Sequence, residues 1–234
     1  MLEELLASGF KELGIEADGD ALRRYRIYYE YLGEINRVMN LTAISGEKDV
    51  AELHFLDSAA LLTVAELGGK RVIDLGAGAG FPGLALKIAR PDIRLTLLDS
   101  LDKRVGFLRD CCERLGFDDV RCVHARAEEI PAGFRESFDA ATSRAVARLD
   151  LLCELCLPYV KKGGVFIAMK GPDPEEELRE AGRAIGELGG EYLRTVSYSV
   201  PGTDAVHSAI LIKKKTATPS RYPRRWAQIK KSPL

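Results

Sequence analysis

Membrane-spanning capacity is the first thing missing, because no apolar run in the 234 residues approaches the roughly 18 that a helical span requires. The opening Met1-Leu2-Glu3-Glu4-Leu5-Leu6 carries acids where a secretory signal carries bases, so the expectation is a cytoplasmic protein with no membrane partner. Cysteine is sparse and odd in number (Cys111, Cys112, Cys122, Cys153, Cys156), which argues against a disulfide framework. Cys153-x-x-Cys156 lies inside the apolar run Leu149 to Val160, and no second Cys or His pair follows at ligand spacing. Both are expected as small residues on a buried helix, not as half of a zinc site. His54, His124 and His207 are scattered over helix, strand and strand, so no metal is expected and each is assigned a structural role.

Acids are missing after Asp204, where Lys213, Lys214, Lys215, Arg221, Arg224, Arg225, Lys230 and Lys231 accumulate. The formal net charge of −1 hides this asymmetry, since the rest of the chain holds 26 bases against 35 acids. What is plentiful is apolar content, 46% of residues, enough to fill one sizeable core.

From Met1 to about Gly69 the apolar positions recur near a period of 3.6: Leu2, Leu5, Leu6, then Tyr25, Tyr28, Tyr29, Leu32, Ile35, Val38, then Phe55, Ala59, Leu62. Residues 1–69 are therefore expected as a helical N-terminal extension. From Arg71 short β-like runs alternate with helical segments, the pattern of βαβ units on a parallel sheet. Strands are expected at Val72 to Leu75, Leu95 to Asp99, Val120 to His124, Phe138 to Ser143, Val165 to Lys170, Tyr192 to Val200 and Ser208 to Lys213. Helices are expected at Pro82 to Ala89, Asp102 to Leu115, Leu149 to Tyr159 and Glu175 to Leu188. Pro201-Gly202-Thr203-Asp204 is long enough only for a turn, so the last two strands should pair antiparallel. The fold class is α/β, a doubly wound Rossmann-like sheet of seven strands with the last antiparallel, the variant used by S-adenosylmethionine methyltransferases. It should span residues 70–215, leaving 216–234, with Pro219, Pro223 and Pro233, as an extended basic tail.

The sharpest signal is Val72-Ile73-Asp74-Leu75-Gly76-Ala77-Gly78-Ala79-Gly80-Phe81-Pro82-Gly83, a strand entering a glycine-rich turn and then a helix. Such glycines permit positive φ and bring backbone N–H groups against a ligand. Gly78-x-Gly80-x-x-Gly83 also matches the dinucleotide fingerprint, so an NAD-dependent oxidoreductase is a rival reading. Asp74 weighs against it: a carboxylate there repels a pyrophosphate but can pair with the ammonium of a bound methionine moiety. Asp99, ending the second strand, is placed to accept both ribose hydroxyls, which suits an adenosyl ligand and NAD alike. Ala127-Glu128-Glu129, after the third strand, lies where a loop reaches an adenine edge, or serves as an ordinary acidic cap. Arg144, after the fourth strand, can contact a cofactor carboxylate or an RNA phosphate.

No Asp/Asn-Pro-Pro-aromatic run stands at that fourth strand to hold an exocyclic amine, and no Pro-Cys nucleophile for a covalent pyrimidine adduct. A target already nucleophilic, such as a purine ring nitrogen, needs only alignment with the methyl donor, so no catalytic residue is named. In the tail, Tyr222 and Trp226 interleave with Arg221, Arg224, Arg225, Lys230 and Lys231, combining phosphate neutralisation with stacking surface. These residues are expected to bind RNA, and an RNA-binding ribosome-assembly factor is a second rival.

With these residues in view, the chain resembles the glucose-inhibited division protein B type of ribosomal RNA methyltransferase. The matching blocks are Asn40-Leu41-Thr42-Ala43-Ile44, His54-Phe55-Leu56-Asp57-Ser58, Asp74 to Gly83, Ser143-Arg144-Ala145-Val146-Ala147 and Arg221-Tyr222-Pro223-Arg224-Arg225. The resemblance implies methyl transfer from S-adenosylmethionine to guanine N7 in small-subunit (16S) ribosomal RNA, on bare RNA or the 30S subunit. It also implies cofactor contact from Gly76, Phe81, Ala127, Glu128 and Arg144, to which physical argument adds Asp74, Gly78, Gly80 and Asp99. One departure is Trp226-Ala227-Gln228-Ile229-Lys230, where the family commonly has a Gly-Thr-Pro-Lys-like run.

Overall fold

The computed structural model describes residues 1–144 and 146–234, so Ala145 of the Ser143 to Ala147 block lies outside the described residues. Its strands are β1 (Arg71–Leu75), β2 (Arg94–Asp99), β3 (Arg121–His124), β4 (Phe138–Arg144), β5 (Val160–Lys170), β6 (Gly190–Ser199) and β7 (Val206–Lys214). They form one seven-stranded sheet in the order β3-β2-β1-β4-β5-β7-β6. The first five are parallel, and helices lie in the crossovers from β1 to β2, β2 to β3 and β4 to β5, while β3 returns to β4 through turns alone. The turn after β6 is too short for a crossover, so β7 runs back antiparallel and inserts between β5 and β6. The hairpin is as its turn residues foretold, and the edge strands of the sheet are β3 and β6.

Helices α1 (Leu2–Glu12), α2 (Gly19–Met39), α3 (Glu47–Val50), α4 (Asp57–Ala59) and α5 (Leu61–Val64) precede the sheet. A π-helical turn, Ala51–Leu56, joins α3 to α4. Helix α2 starts where Asp18 accepts the Ala21 N–H at 2.8 Å and stops at Asn40, which turns left-handed (φ 48°, ψ 53°). Between and after the strands come α6 (Gly83–Ala89), α7 (Asp102–Leu115), α8 (Leu149–Cys156), α9 (Glu175–Glu180), α10 (Gly182–Glu187) and α11 (Trp226–Lys231).

Alternation along the strands divides the core into two layers. Val72, Leu95, Leu97, Ala140, Ile167 and Leu211 face the N-terminal helices with α6 and α7. Ile73, Leu98, Ala141, Phe166, Ala168 and Ile210 face α8 and α10 on the other side. The N-terminal helices belong to the first layer, where the Tyr25 hydroxyl donates to the Ala85 carbonyl at 2.7 Å and Tyr31 stacks on Phe107 at 5.3 Å. Cys153 and Cys156 are buried on α8, and all the cysteines are free.

Three expectations need correction. β5 begins five residues early, at Val160, because Val160 already pairs with Phe138 and a register shift before Ala140 lets the polar, glycine-bearing stretch 161–164 bulge before pairing resumes at Val165. The helix expected over Glu175 to Leu188 breaks at Ala181, just before the weak helix former Gly182. The tail is not extended. Arg135 donates to the carbonyls of Thr218 (2.9 Å) and Tyr222 (2.8 Å), and the Tyr222 hydroxyl reaches Glu187 at 2.6 Å. Arg224 forks onto both oxygens of Glu154 on α8 (2.9 and 2.6 Å), and Ile229 of α11 is fully buried. Apolar anchors and a buried acid outweigh the chain entropy that a polar, proline-containing tail would otherwise keep.

The Glu154 carboxylate is 1% exposed, so removing its partner strands a buried charge. Arg224→Ala should lower the free energy of unfolding by about 3 kcal/mol, whereas exposed Arg225→Ala should stay within about 0.5 kcal/mol, read by urea titration. Equal, small effects would mean that the tail is not docked in solution.

Candidate active site

The glycine turn leaves β1 with the Gly76 and Ala77 N–H groups both donating to the Leu98 carbonyl (2.9 and 3.1 Å). Gly76 (φ 73°) and Gly80 (φ 98°) are left-handed, and they are bare for different reasons. A Cβ at Gly76 would fall 2.6 Å from a methyl of Val146, closing the cavity both residues line. A Cβ at Gly80 would strike the Tyr28 hydroxyl, which itself donates to the Ala79 carbonyl, and would press on Leu84 and Leu108. Gly80 thus admits α2 to the turn and not a ligand.

Beneath the turn, Asp74 has no exposed surface. Its oxygens accept the Gly83 N–H at 2.8 Å and the Thr142 hydroxyl at 3.2 Å, tying the start of α6 to β4. Burial pushes its carboxyl up to about 6 against the pull of those donors. Asp99 accepts the Gly78 N–H and the Leu101 N–H, both at 2.9 Å. A carboxylate has about four lone-pair sites, so Asp99 keeps acceptor capacity for two hydroxyls.

Two cavities open on opposite sides of the carboxyl end of β4, because consecutive strand residues face opposite ways. The first, of about 250 Å³, touches Ser143, Gly76, Ser100, Ala127, Glu128 and Trp226 among others. Its wall suits an adenosyl group: the bare Gly76 keeps it open, Leu98 and Ser100 flank the buried Asp99 at its β2 edge, and the strand and α8 residues supply an apolar floor. The second, of about 480 Å³, is lined by Arg144, His54, Asp57, Met169, Lys170 and His207 with their neighbours.

Around the second cavity the charged groups are locked together. Asp57 accepts from Arg144 (3.1 Å), the Tyr198 hydroxyl (3.0 Å) and His207 Nδ1 (2.7 Å). Arg144 also donates to the Leu53 carbonyl at 3.2 Å and to His54 Nδ1 at 2.9 Å. A guanidinium only donates, so His54 Nδ1 carries no proton and Nε2–H donates to the Thr42 hydroxyl at 2.8 Å. Burial and the Arg144 charge hold His54 down to about 3, so the ring is neutral. The hydrogen bond to Asp57 holds His207 above its ordinary range. Phe81 is sandwiched by Tyr28 (5.3 Å), His54 (4.3 Å) and the Arg144 guanidinium (4.9 Å).

Of the residues singled out as cofactor contacts, Gly76, Ala127 and Glu128 line the first cavity. Asp74, Gly80 and Phe81 are packed behind the turn, Gly78 is held by Asp99, and Arg144 lines the second cavity. Among the tail residues, Arg221, Arg225, Lys230 and Lys231 are exposed, but Tyr222 is buried and Arg224 is held by Glu154, so those two serve the tail's docking. Unforeseen were Asp57, Tyr198 and His207 as one cluster and Trp226 as cavity wall. The block His54 to Ser58 held the only local hint, a His and an Asp one helical turn apart. No group of residues able to hold a metal ion occurs among the described residues.

A family model described as GidB, rRNA small subunit methyltransferase G, matches residues 21–203. Relatives named Ribosomal RNA small subunit methyltransferase G include one from Alkaliphilus oremlandii, 46% identical over 100% of this chain and 99% of its own. Another, from Staphylococcus saprophyticus, is 47% identical over 94% of this chain and 93% of its own. Among solved structures, a SAM-dependent methyltransferase from Aquifex aeolicus superposes with TM-score 0.53 at 20% identity, covering 70% of this chain and 92% of that one. The YcgJ protein of Bacillus subtilis gives 0.52 at 18%, covering 70% and 100%. Both speak for the fold.

Because His207 is held above its ordinary value near 6.5, its stabilising pair with Asp57 is fully present below that value and lost as pH rises through the raised one. The stability advantage of wild type over His207→Ala should therefore be larger at pH 6 than at pH 9, measured by urea unfolding. A difference that does not change with pH would contradict the charged pair.

Proposed function

The chain belongs to the GidB family, the small-subunit ribosomal RNA methyltransferase G family, and from that premise we propose that it transfers a methyl group from S-adenosylmethionine to N7 of a guanine in 16S ribosomal RNA. The observation that carries this reading is the pair of cavities divided by the end of β4, one built for a nucleoside and the other ringed by oriented charge. Bound S-adenosylmethionine supplies an electrophilic methyl on a sulfonium. Asp99 accepts the ribose hydroxyls on its spare lone pairs, Ala127 and Glu128 flank the adenine, and Asp74 adds a negative field below the turn for the ammonium.

In this reading the second cavity receives the acceptor base. Guanine presents N7 and O6 there as adjacent acceptors. His207, its Nδ1 turned to Asp57, and Arg144 offer donors on that wall, while N7 needs only alignment with the methyl. N7 carries no proton to remove, which suits a cavity whose neutral His54 and whose Asp57 are already committed to other partners. Arg221, Arg225, Lys230 and Lys231 meet the RNA backbone, on bare RNA or on the 30S subunit, in the cytoplasm. No helix among the described residues is long and apolar enough to cross a membrane.

Incubation with methyl-labelled cofactor and small subunits, large subunits or bare ribosomal RNA from cells lacking the enzyme should place the label in 7-methylguanosine of small-subunit RNA alone. Label in another nucleoside, or none despite cofactor binding, overturns the assignment. Replacing Arg221, Arg225, Lys230 and Lys231 together by Gln should flatten the slope of log affinity against log salt by about 3. An unchanged slope removes the tail from the RNA interface.

A further inference from the structure

Trp226 is the chain's only tryptophan, and it stands in the wall of the first cavity, away from the exposed bases that its place in the sequence groups it with. We propose that Trp226 stacks on the adenine of S-adenosylmethionine, so that the C-terminal segment completes the cofactor site. The inference rests on reading that cavity as the cofactor's.

Three observations carry it. The indole is fixed by what flanks it: Arg224, two residues before, is pinned to Glu154, and Ile229, three residues after, is buried against the α8 layer. Positions three apart share a helix face, so Trp226 and Ile229 turn the same way, toward the core. The rest of the wall is of the right kind for a flat heterocycle, with Leu152, Leu155 and Cys156 of α8 and Ala127 providing apolar surface and Glu128 a polar edge. Finally, Trp226 is half-buried and packs on that layer while still lining the cavity, so one part of the ring is anchored and the other faces the ligand space. An RNA-stacking residue would instead present its ring outward beside Arg225 and Lys230, which are exposed.

A sole tryptophan makes the test direct. Titrating the full-length protein with S-adenosylhomocysteine should change its emission saturably, with the dissociation constant that calorimetry gives. Trp226→Ala should weaken that binding roughly 5- to 100-fold, the range of one base–aromatic stack, and Trp226→Phe should recover most of it. RNA affinity at saturating S-adenosylhomocysteine should be unaltered in both variants. If the wild type binds with unchanged emission, or if Trp226→Ala binds as tightly, the inference fails and the proposed function stands. If Trp226→Ala loses RNA affinity alone, the indole serves RNA and the inference also fails. If the wild type takes up no S-adenosylhomocysteine, the cofactor assignment and the inference fall together. Should Trp226→Ala not fold, the emission titration and Trp226→Phe decide.

Discussion

A carboxylate with 2% of its side chain exposed must find its counter-charges and donors inside the protein, and Asp57 finds them on three strands distant in sequence: Arg144 on β4, the Tyr198 hydroxyl on β6 and His207 on β7. The acid itself comes from the helical lead-in, so the N-terminal helices, the carboxyl end of β4 and the terminal hairpin meet at one group. Leaving out Arg144 or His207 would weaken the charge balance of that buried acid, and the cost keeps the arrangement single. The second cavity is shaped by that requirement, since its charged wall is the exposed side of the same network.

The first cavity depends on the lead-in as well. The glycine turn is not free to flex, because Tyr28 grips the Ala79 carbonyl and Phe81 is held between Tyr28, His54 and Arg144. One aromatic stack therefore links the turn that borders the first cavity to the cluster that walls the second. On the opposite face the tail does the corresponding work, binding α8 through Glu154 and bringing Trp226 to the cavity. Two segments outside the βαβ core thus flank the end of β4 from either side, where the proposed function brings methyl donor and acceptor together.

Much of this was legible locally. Strand and helix order, the hairpin, and the glycine turn follow from periodicity and turn chemistry, which act between near neighbours. Some of the marked residues also carry packing roles. Gly80 and Phe81 look like ligand contacts because glycine and aromatic residues at a turn suit a ligand, yet a neighbouring helix makes the same demand for close approach. Tyr222 and Arg224 look like RNA contacts because base-aromatic interleaving suits a phosphate backbone, but a buried acid on α8 claims the arginine first.

The amino-acid order by itself determined the parallel sheet with its antiparallel close, the nucleoside turn and the family, since each rests on spacings of a few residues or on contiguous blocks. Only the tertiary structure decided which of the marked residues line a cavity and which are packed behind it. Asp57 and His207 are 150 positions apart, Arg144 and His54 are 90 apart, and Arg224 and Glu154 are 70 apart. Pairings at such separations have no periodic trace in the chain, because they are set by how sheet and helices pack and by the need of buried charge for a partner.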